Sequence, residues 1–241
     1  MAVLTYKKTS MTKSSNNHGF HPEPGNVPRH VGIIPDGGRR WADLHGCSLR
    51  EAYDRTRSGL ESMVTWLTGY GVGEITIYLS SIQNFKRGDD DLGANLELVE
   101  SALSNEIARL ANRLNLRVCS AGTRDIIPKT LLAEVLKIEE STRNFRSGRL
   151  NLLLAYDPIE EVSHAMNTCG DPVGFTGHLW VTTPVDMIIR TGNAPLLSNF
   201  LPLQSGYSRL FFLDKLFNDT TIKDLQEILM EFSAIGRKFG E

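Results

Sequence analysis

From His30 onward the chain alternates short apolar runs with longer amphipathic stretches. The run His30-Val31-Gly32-Ile33-Ile34-Pro35 is bounded by glycine and proline and predicts a buried strand. Leu49, Tyr53, Thr56, Leu60, Met63 and Leu67 then recur at three- and four-residue spacing, one face of a helix that Gly71 and Gly73 end. A second strand is expected over 74–79. Leu92, Leu96, Val99, Leu103, Ile107, Leu110 and Leu114 stripe a long helix. A strand over 116–120, a helix over 128–143 opened by Pro128, and strands over 150–156, 185–189 and 210–213 follow. Ile222, Leu225, Leu229 and Phe232 mark a last helix.

Apolar strands joined by helical crossovers make an α/β fold: a single domain with a central, mostly parallel sheet of about six strands flanked by helices. Ligands in such folds bind beyond the carboxyl ends of the strands. Residues 1–28 are rich in Lys, Ser, Thr, Asn, Gly and Pro without apolar periodicity, so a disordered tail is expected there and the folded domain over 29–241.

Composition narrows the function. A net charge of -2 gives no field that would attract a nucleic acid, so any phosphate site must be a local cluster of basic groups. No apolar run reaches the roughly 18 residues of a membrane span, and the N-terminus lacks a signal-peptide core. Cys47, Cys119 and Cys169 are odd in number and widely spaced, which favours a reducing, cytoplasmic setting and no disulfide framework. The histidines form no HExxH pair, so no structural zinc is expected.

The segment Pro35-Asp36-Gly37-Gly38-Arg39-Arg40-Trp41 carries the most chemistry, because it lies directly after the first strand and before helical sequence. Glycines let backbone amides approach an anion, a helix start adds its positive end, and arginines donate charge-assisted bonds to phosphate oxygens. Asp36 would repel such an anion unless a divalent cation bridged the two, which implies Mg²⁺. Taken alone, an ordinary Asp-Gly-Gly turn with solvated arginines accounts for the segment equally well. It is neither a Walker A loop nor a GxGxxG fingerprint.

With two further stretches the segment resembles the cis-prenyltransferases, the undecaprenyl diphosphate synthase family. His30 through Trp41, Ser80-Ser81-Ile82-Gln83-Asn84-Phe85-Lys86-Arg87, and Ile189-Arg190-Thr191-Gly192 with Ser198-Asn199-Phe200 are similar to its three signatures, in order. The resemblance implies a prenyl diphosphate synthase with Asp36, Asn84 and Arg87 as catalytic residues and Asp36 placing Mg²⁺. It puts a first allylic diphosphate on Gly37, Gly38, Arg39, Arg40 and Arg87, a second on Arg190 and Ser198, and adds Trp41, Ser81 and Arg209 to the substrate contacts. Asn84 would orient the reacting groups or assist proton removal, a diphosphate oxygen being the better final acceptor; the competing reading is a loop residue bonding its local backbone. The faces bearing Leu60 and Leu96 would enclose an apolar pocket, although most of each stripe is expected to be ordinary core. A homodimer is implied, with Lys238-Phe239-Gly240 reaching toward the partner.

The sequence also departs from the family pattern. Leu196 stands for an arginine, Arg209 for a metal-binding glutamate, Tyr53 for a histidine, and Lys238 for the arginine of the C-terminal Arg-x-Gly. Gly38 and Arg39 replace the usual asparagine and glycine. Pro-Asp-Gly-x-Arg-Arg-Trp is similar to the lavandulyl-type branch, which couples allylic units head-to-middle. The expected reaction is therefore an irregular condensation of dimethylallyl diphosphate with dimethylallyl or geranyl diphosphate. The isosesquilavandulyl type is favoured, since nothing in the sequence calls for cyclisation, and Arg209 is expected to touch a diphosphate. A regular short-chain synthase using isopentenyl diphosphate and a non-catalytic partner subunit are the competing readings.

Overall fold

The computed structural model describes residues 27–87, 96–97, 99–170 and 173–234, with only the backbone of Lys86 and Arg87. The expected tail over 1–28 falls almost wholly outside these residues, as do Leu92 and Lys238-Phe239-Gly240.

Six strands form one parallel sheet: β1 His30–Ile34, β2 Glu74–Tyr78, β3 Leu116–Ala121, β4 Gly148–Leu153, β5 Met187–Arg190 and β6 Arg209–Phe212, in the spatial order β3-β4-β2-β1-β5-β6. All five residues of β1 are buried, as expected for a strand covered on both faces. Val31 and Ile33 join one core, with Met63 and Leu67 of α2 (Leu49–Gly69). Ile34 joins a second core with Tyr156, Ile188, Phe200 and Leu201 on the opposite side. Between them Gly32 is held small: a Cβ there would meet Phe200 Cε1 at 2.5 Å.

Other helices among the described residues include α1 Gly38–His45, α3 Ile82–Arg87, α4 Ala108–Leu114, α5 Lys129–Thr142, α6 Pro158–Cys169 and α7 Ile222–Ala234, with further helical residues over 99–102. Local chemistry fixes their starts. Ser48 and Glu51 form a reciprocal capping box on α2, and Asp157 accepts from the Ile159 N–H with Pro158 opening α6.

Most bounds fall within a residue or two of expectation, and the larger differences have local causes. The strand expected to run to Tyr156 ends at Leu153, because Ala155 takes a left-handed conformation, φ 53°. The fifth strand begins at Met187 and includes Arg190. The single long helix is interrupted by a π turn over Leu103–Ile107 that leads into α4. No described helix is long and apolar enough to cross a membrane.

Candidate active site

Parallel pairing of β1 with β5 matches Ile34 with Arg190, so the residues that follow each strand emerge side by side. The Asp36 backbone is locked there. Thr191 Oγ1 accepts from the Asp36 N–H at 2.9 Å and donates to the Asp36 carbonyl at 2.8 Å, and the Phe217 N–H also donates to that carbonyl. Gly37, φ 112°, then turns the chain into α1 and lies against Leu216, leaving no room for a side chain.

Both oxygens of the Asp36 carboxylate are engaged by arginine. Arg40, one turn into α1, donates to Oδ1 at 3.3 Å, and Arg190 donates to Oδ2 at 2.9 Å. The Arg190 side chain is only 8% exposed, and its other terminal nitrogen donates to the Leu196 carbonyl and to Ser198 Oγ, both at 2.7 Å. Its buried Nε has no hydrogen-bond partner among the described residues. Such a polar group is an inviting contact for an anion's oxygen.

The loop over 193–201 wraps this guanidinium at a conformational cost. Asn193, Ser198, Asn199 and Leu201 all have positive φ, and a left-handed residue other than glycine or asparagine costs roughly 1–2 kcal/mol. Burial of Phe200 and Leu201 holds it in place. The Tyr78 phenol donates to the Ser198 carbonyl at 3.1 Å. Burial, reinforced by Asp157, pushes that phenol up to about 12, so it remains a donor at neutral pH.

Ser81 and Asn84 form a second capping arrangement, on α3. Asn84 Oδ1 accepts from the Ser81 N–H at 2.9 Å and from its hydroxyl at 2.7 Å, while Ser81 Oγ faces the Asn84 N–H at 3.4 Å. The Asn84 carbonyl oxygen is thus occupied twice, which leaves the amide NH₂ as its remaining hydrogen-bonding group. A Ser-x-x-Asn spacing at a helix start is the sequence signal that could have found this pair.

Asp36, Arg40, Arg190 and Ser198 are brought together, with Gly37 and Gly38 at the helix start. Arg39 lies exposed on the first turn of α1. The Trp41 indole N–H donates to Asp219 Oδ1 at 2.8 Å, and the Arg55 guanidinium lies 5.2 Å over its ring. The side chain of Arg87 lies outside the description. Arg209 is not brought to the others. It opens β6, paired with Met187 and three residues before Phe212, the partner of Arg190. Its guanidinium lies 4.8 Å over the Phe232 ring of α7 and donates to the Phe232 carbonyl.

Beside the cluster an apolar cavity of about 150 Å³ runs from Pro35 and Tyr53 past Leu60, Val64 and Ile77 to Leu110. Leu60 lines it as expected; Leu96 packs against the core, and Val99, Ala102 and Ile107 supply the opposite wall. The described residues contain no cluster of three or more His, Cys, Asp or Glu side chains able to hold a metal. A lone carboxylate nevertheless suits Mg²⁺, which is commonly bound by one or two carboxylates plus substrate phosphates. Asp36 fits that donor set.

The family described as "Putative undecaprenyl diphosphate synthase" matches residues 34–240. A tritrans,polycis-undecaprenyl-diphosphate synthase (geranylgeranyl-diphosphate specific) of Pyrococcus horikoshii is 30% identical over 233 residues, covering 90% of this chain and 88% of its own length. An isoprenyl transferase of Thermotoga maritima is 30% identical over 229 residues, covering 89% and 97%. The crystal structure of lavandulyl diphosphate synthase from Lavandula x intermedia, in complex with dimethylallyl diphosphate, superposes with a TM-score of 0.83 at 24% identity, covering 90% of this chain and 99% of that one. The match spans the Asp36 loop, α3 and the Arg190 loop, the three stretches that converge on one end of the sheet. The chain is therefore a prenyltransferase enzyme of the cis-prenyltransferase, undecaprenyl diphosphate synthase-like family.

Proposed function

We propose that the protein couples two allylic diphosphates, dimethylallyl diphosphate with dimethylallyl or geranyl diphosphate, in an irregular head-to-middle condensation. The observation that carries this reading is the joined Asp36–Arg190 cluster opening beside an apolar pocket. The donor's diphosphate rests on the α1 N-terminus, Arg39 and Arg40, with its prenyl chain in the pocket. The second diphosphate takes Arg190 and Ser198. Mg²⁺ held by Asp36 would neutralise charge that develops on the departing diphosphate.

The chain's own residues do the rest. Arg40 and the α1 backbone amides stabilise the leaving group, so that an allylic cation forms in a preorganised polar site. Leu60, Val64 and Ile77 keep water from the cation. The acceptor's internal alkene carbon attacks, and the resulting tertiary cation loses a proton to a diphosphate oxygen. Asn84 orients the partners through its NH₂, since its carbonyl is already taken by Ser81.

Leu196 and Arg39 support irregular coupling over the regular kind. Leu196 places an apolar, 53% exposed side chain where the family has an arginine, and offers Arg190 only its backbone carbonyl. An acceptor site poorer in charge suits a substrate chosen for its alkene. Arg209 supports the reading only as a lost carboxylate. The test is product analysis by mass spectrometry and NMR after incubation with dimethylallyl, geranyl and isopentenyl diphosphates, singly and in pairs. Branched products from allylic substrates alone are expected. Products formed only with isopentenyl diphosphate would establish the regular reaction instead.

A further inference from the structure

We infer that ion pairs between α2 and the π-turn helix close the side of the apolar pocket and set how long a prenyl chain it accepts. This rests on the prenyl diphosphate reading above. The inner wall of the pocket is formed by Leu60, Val64, Ile77, Leu110, Leu150 and Leu152. Val99, Ala102 and Ile107 face it, and the lining also includes four charged residues, Asp54, Arg57, Glu61 and Glu106.

These charges form a seam. Arg57 lies 3.3 Å from Glu106 Oε1 across the gap between helices and 3.0 Å from Asp54 Oδ1 on its own helix. One turn further along α2, Arg113 of α4 donates to Glu61 Oε1 at 3.2 Å and to Thr65 Oγ1 at 3.0 Å. Two bridges about a turn apart thus lace α2 to the facing helix over the pocket. Glu106 belongs to the π turn Leu103–Ile107, a geometry frequent at functional sites, and its Oε2 is buried with no hydrogen-bond partner among the described residues. A carboxylate oxygen left unpaired beside apolar space is costly, so this arrangement is poor as mere core packing.

From Tyr53, beside Gly38, to Val64, the far end of its α2 lining, α2 rises about 16 Å. A short chain lies along this run beneath the bridges, touching leucine, valine and isoleucine. A longer one must leave between the helices. It then parts Arg57 from Glu106 and lays methylenes over that pair, leaving Arg57 only Asp54 and Glu106 only Arg109, each on its own helix. The seam therefore selects short allylic donors and discourages product elongation.

The experiment compares kcat/KM for dimethylallyl, geranyl, farnesyl and geranylgeranyl diphosphates as donors, for the full-length wild type, Arg57→Ala/Glu106→Ala and Glu106→Gln. In the double variant the farnesyl-to-dimethylallyl ratio is expected to rise by about tenfold or more, with longer products; Glu106→Gln gives part of the effect. General destabilisation lowers both rates together and does not move the ratio. Should the double variant fail to fold, Glu106→Gln carries the test, since it keeps the side chain's size. Unchanged ratios in folded variants of an active enzyme would overturn the seam and leave the coupling reaction standing. A wild type that turns over no prenyl diphosphate would instead sink both.

Discussion

Arg190 and Asp36 stand 154 positions apart in the chain and 2.9 Å apart in the fold, guanidinium to carboxylate. Each is the other's counter-ion while no substrate is bound, and each is the group a diphosphate or its cation would claim. Asp36→Asn keeps the shape and removes the charge. Turnover is expected to fall about a hundredfold or more, with an unchanged circular dichroism spectrum. A well-folded variant of normal rate would displace Asp36 from the chemistry.

Ser81→Ala removes the hydroxyl that holds the Asn84 carbonyl, while the Ser81 N–H contact persists. Loss of one such bond is worth about 1 kcal/mol, so kcat should drop by severalfold with KM nearly constant. Steady-state kinetics check this. A rise in KM alone would make the pair a binding element.

Gly192, φ 85°, packs where a Cβ would meet Arg40 Nη2 at 2.6 Å and the Asp36 carbonyl at 3.1 Å. Gly192→Ala should cost roughly 1–2 kcal/mol in backbone strain and displace Arg40 from Asp36. Thermal unfolding and donor KM report the two effects separately; an unchanged KM would mean that Arg40 does not hold the donor.

His30 is fully buried, with Nε2 2.7 Å from Thr76 Oγ1 and Nδ1 3.2 Å from the Thr183 carbonyl. Burial pulls its pKa below the ordinary 6.5, despite the opposing pull of Glu74. On acidification the unfolded chain therefore takes up the proton first. The contribution to stability is complete above about pH 6.5 and is lost as pH falls through the lowered folded value, with a slope of at most about 1.4 kcal/mol per pH unit. Urea unfolding at pH 7.5 and 5.5, in wild type and His30→Gln, measures it. Equal pH dependence in both would exonerate His30.

The strands were legible because each is a short, largely apolar run, β1 and β5 being buried throughout, and the Asp36 loop because its glycines and arginines are contiguous. Less local features were hidden. The π turn at Leu103–Ile107 does not disturb the apolar stripe, so periodicity reads straight through it. The halt of β4 at Leu153 follows from the left-handed Ala155, which no turn residue announces. The surroundings of Arg209 were hidden because alignment gives a position and not a direction. The Phe232 ring and carbonyl that capture it come from a helix 23 residues away.

The β1 strand is made first and sits in the middle of the sheet, yet one of its two neighbours, β5, comes only at Met187. At a synthesis rate of about 5–20 residues per second, the nascent chain carries the Asp36 loop on the order of ten seconds before Arg190 exists to meet it. Throughout that interval this wholly buried strand has one open edge, a template for mispairing. Leu216 and Phe217, against which Gly37 and the Asp36 carbonyl rest, arrive later still. The end of the sheet that bears the candidate site is thus among the last parts of the molecule to be born, and chains cut short before Met187 would expose the open edge of β1 for protein quality control to recognise.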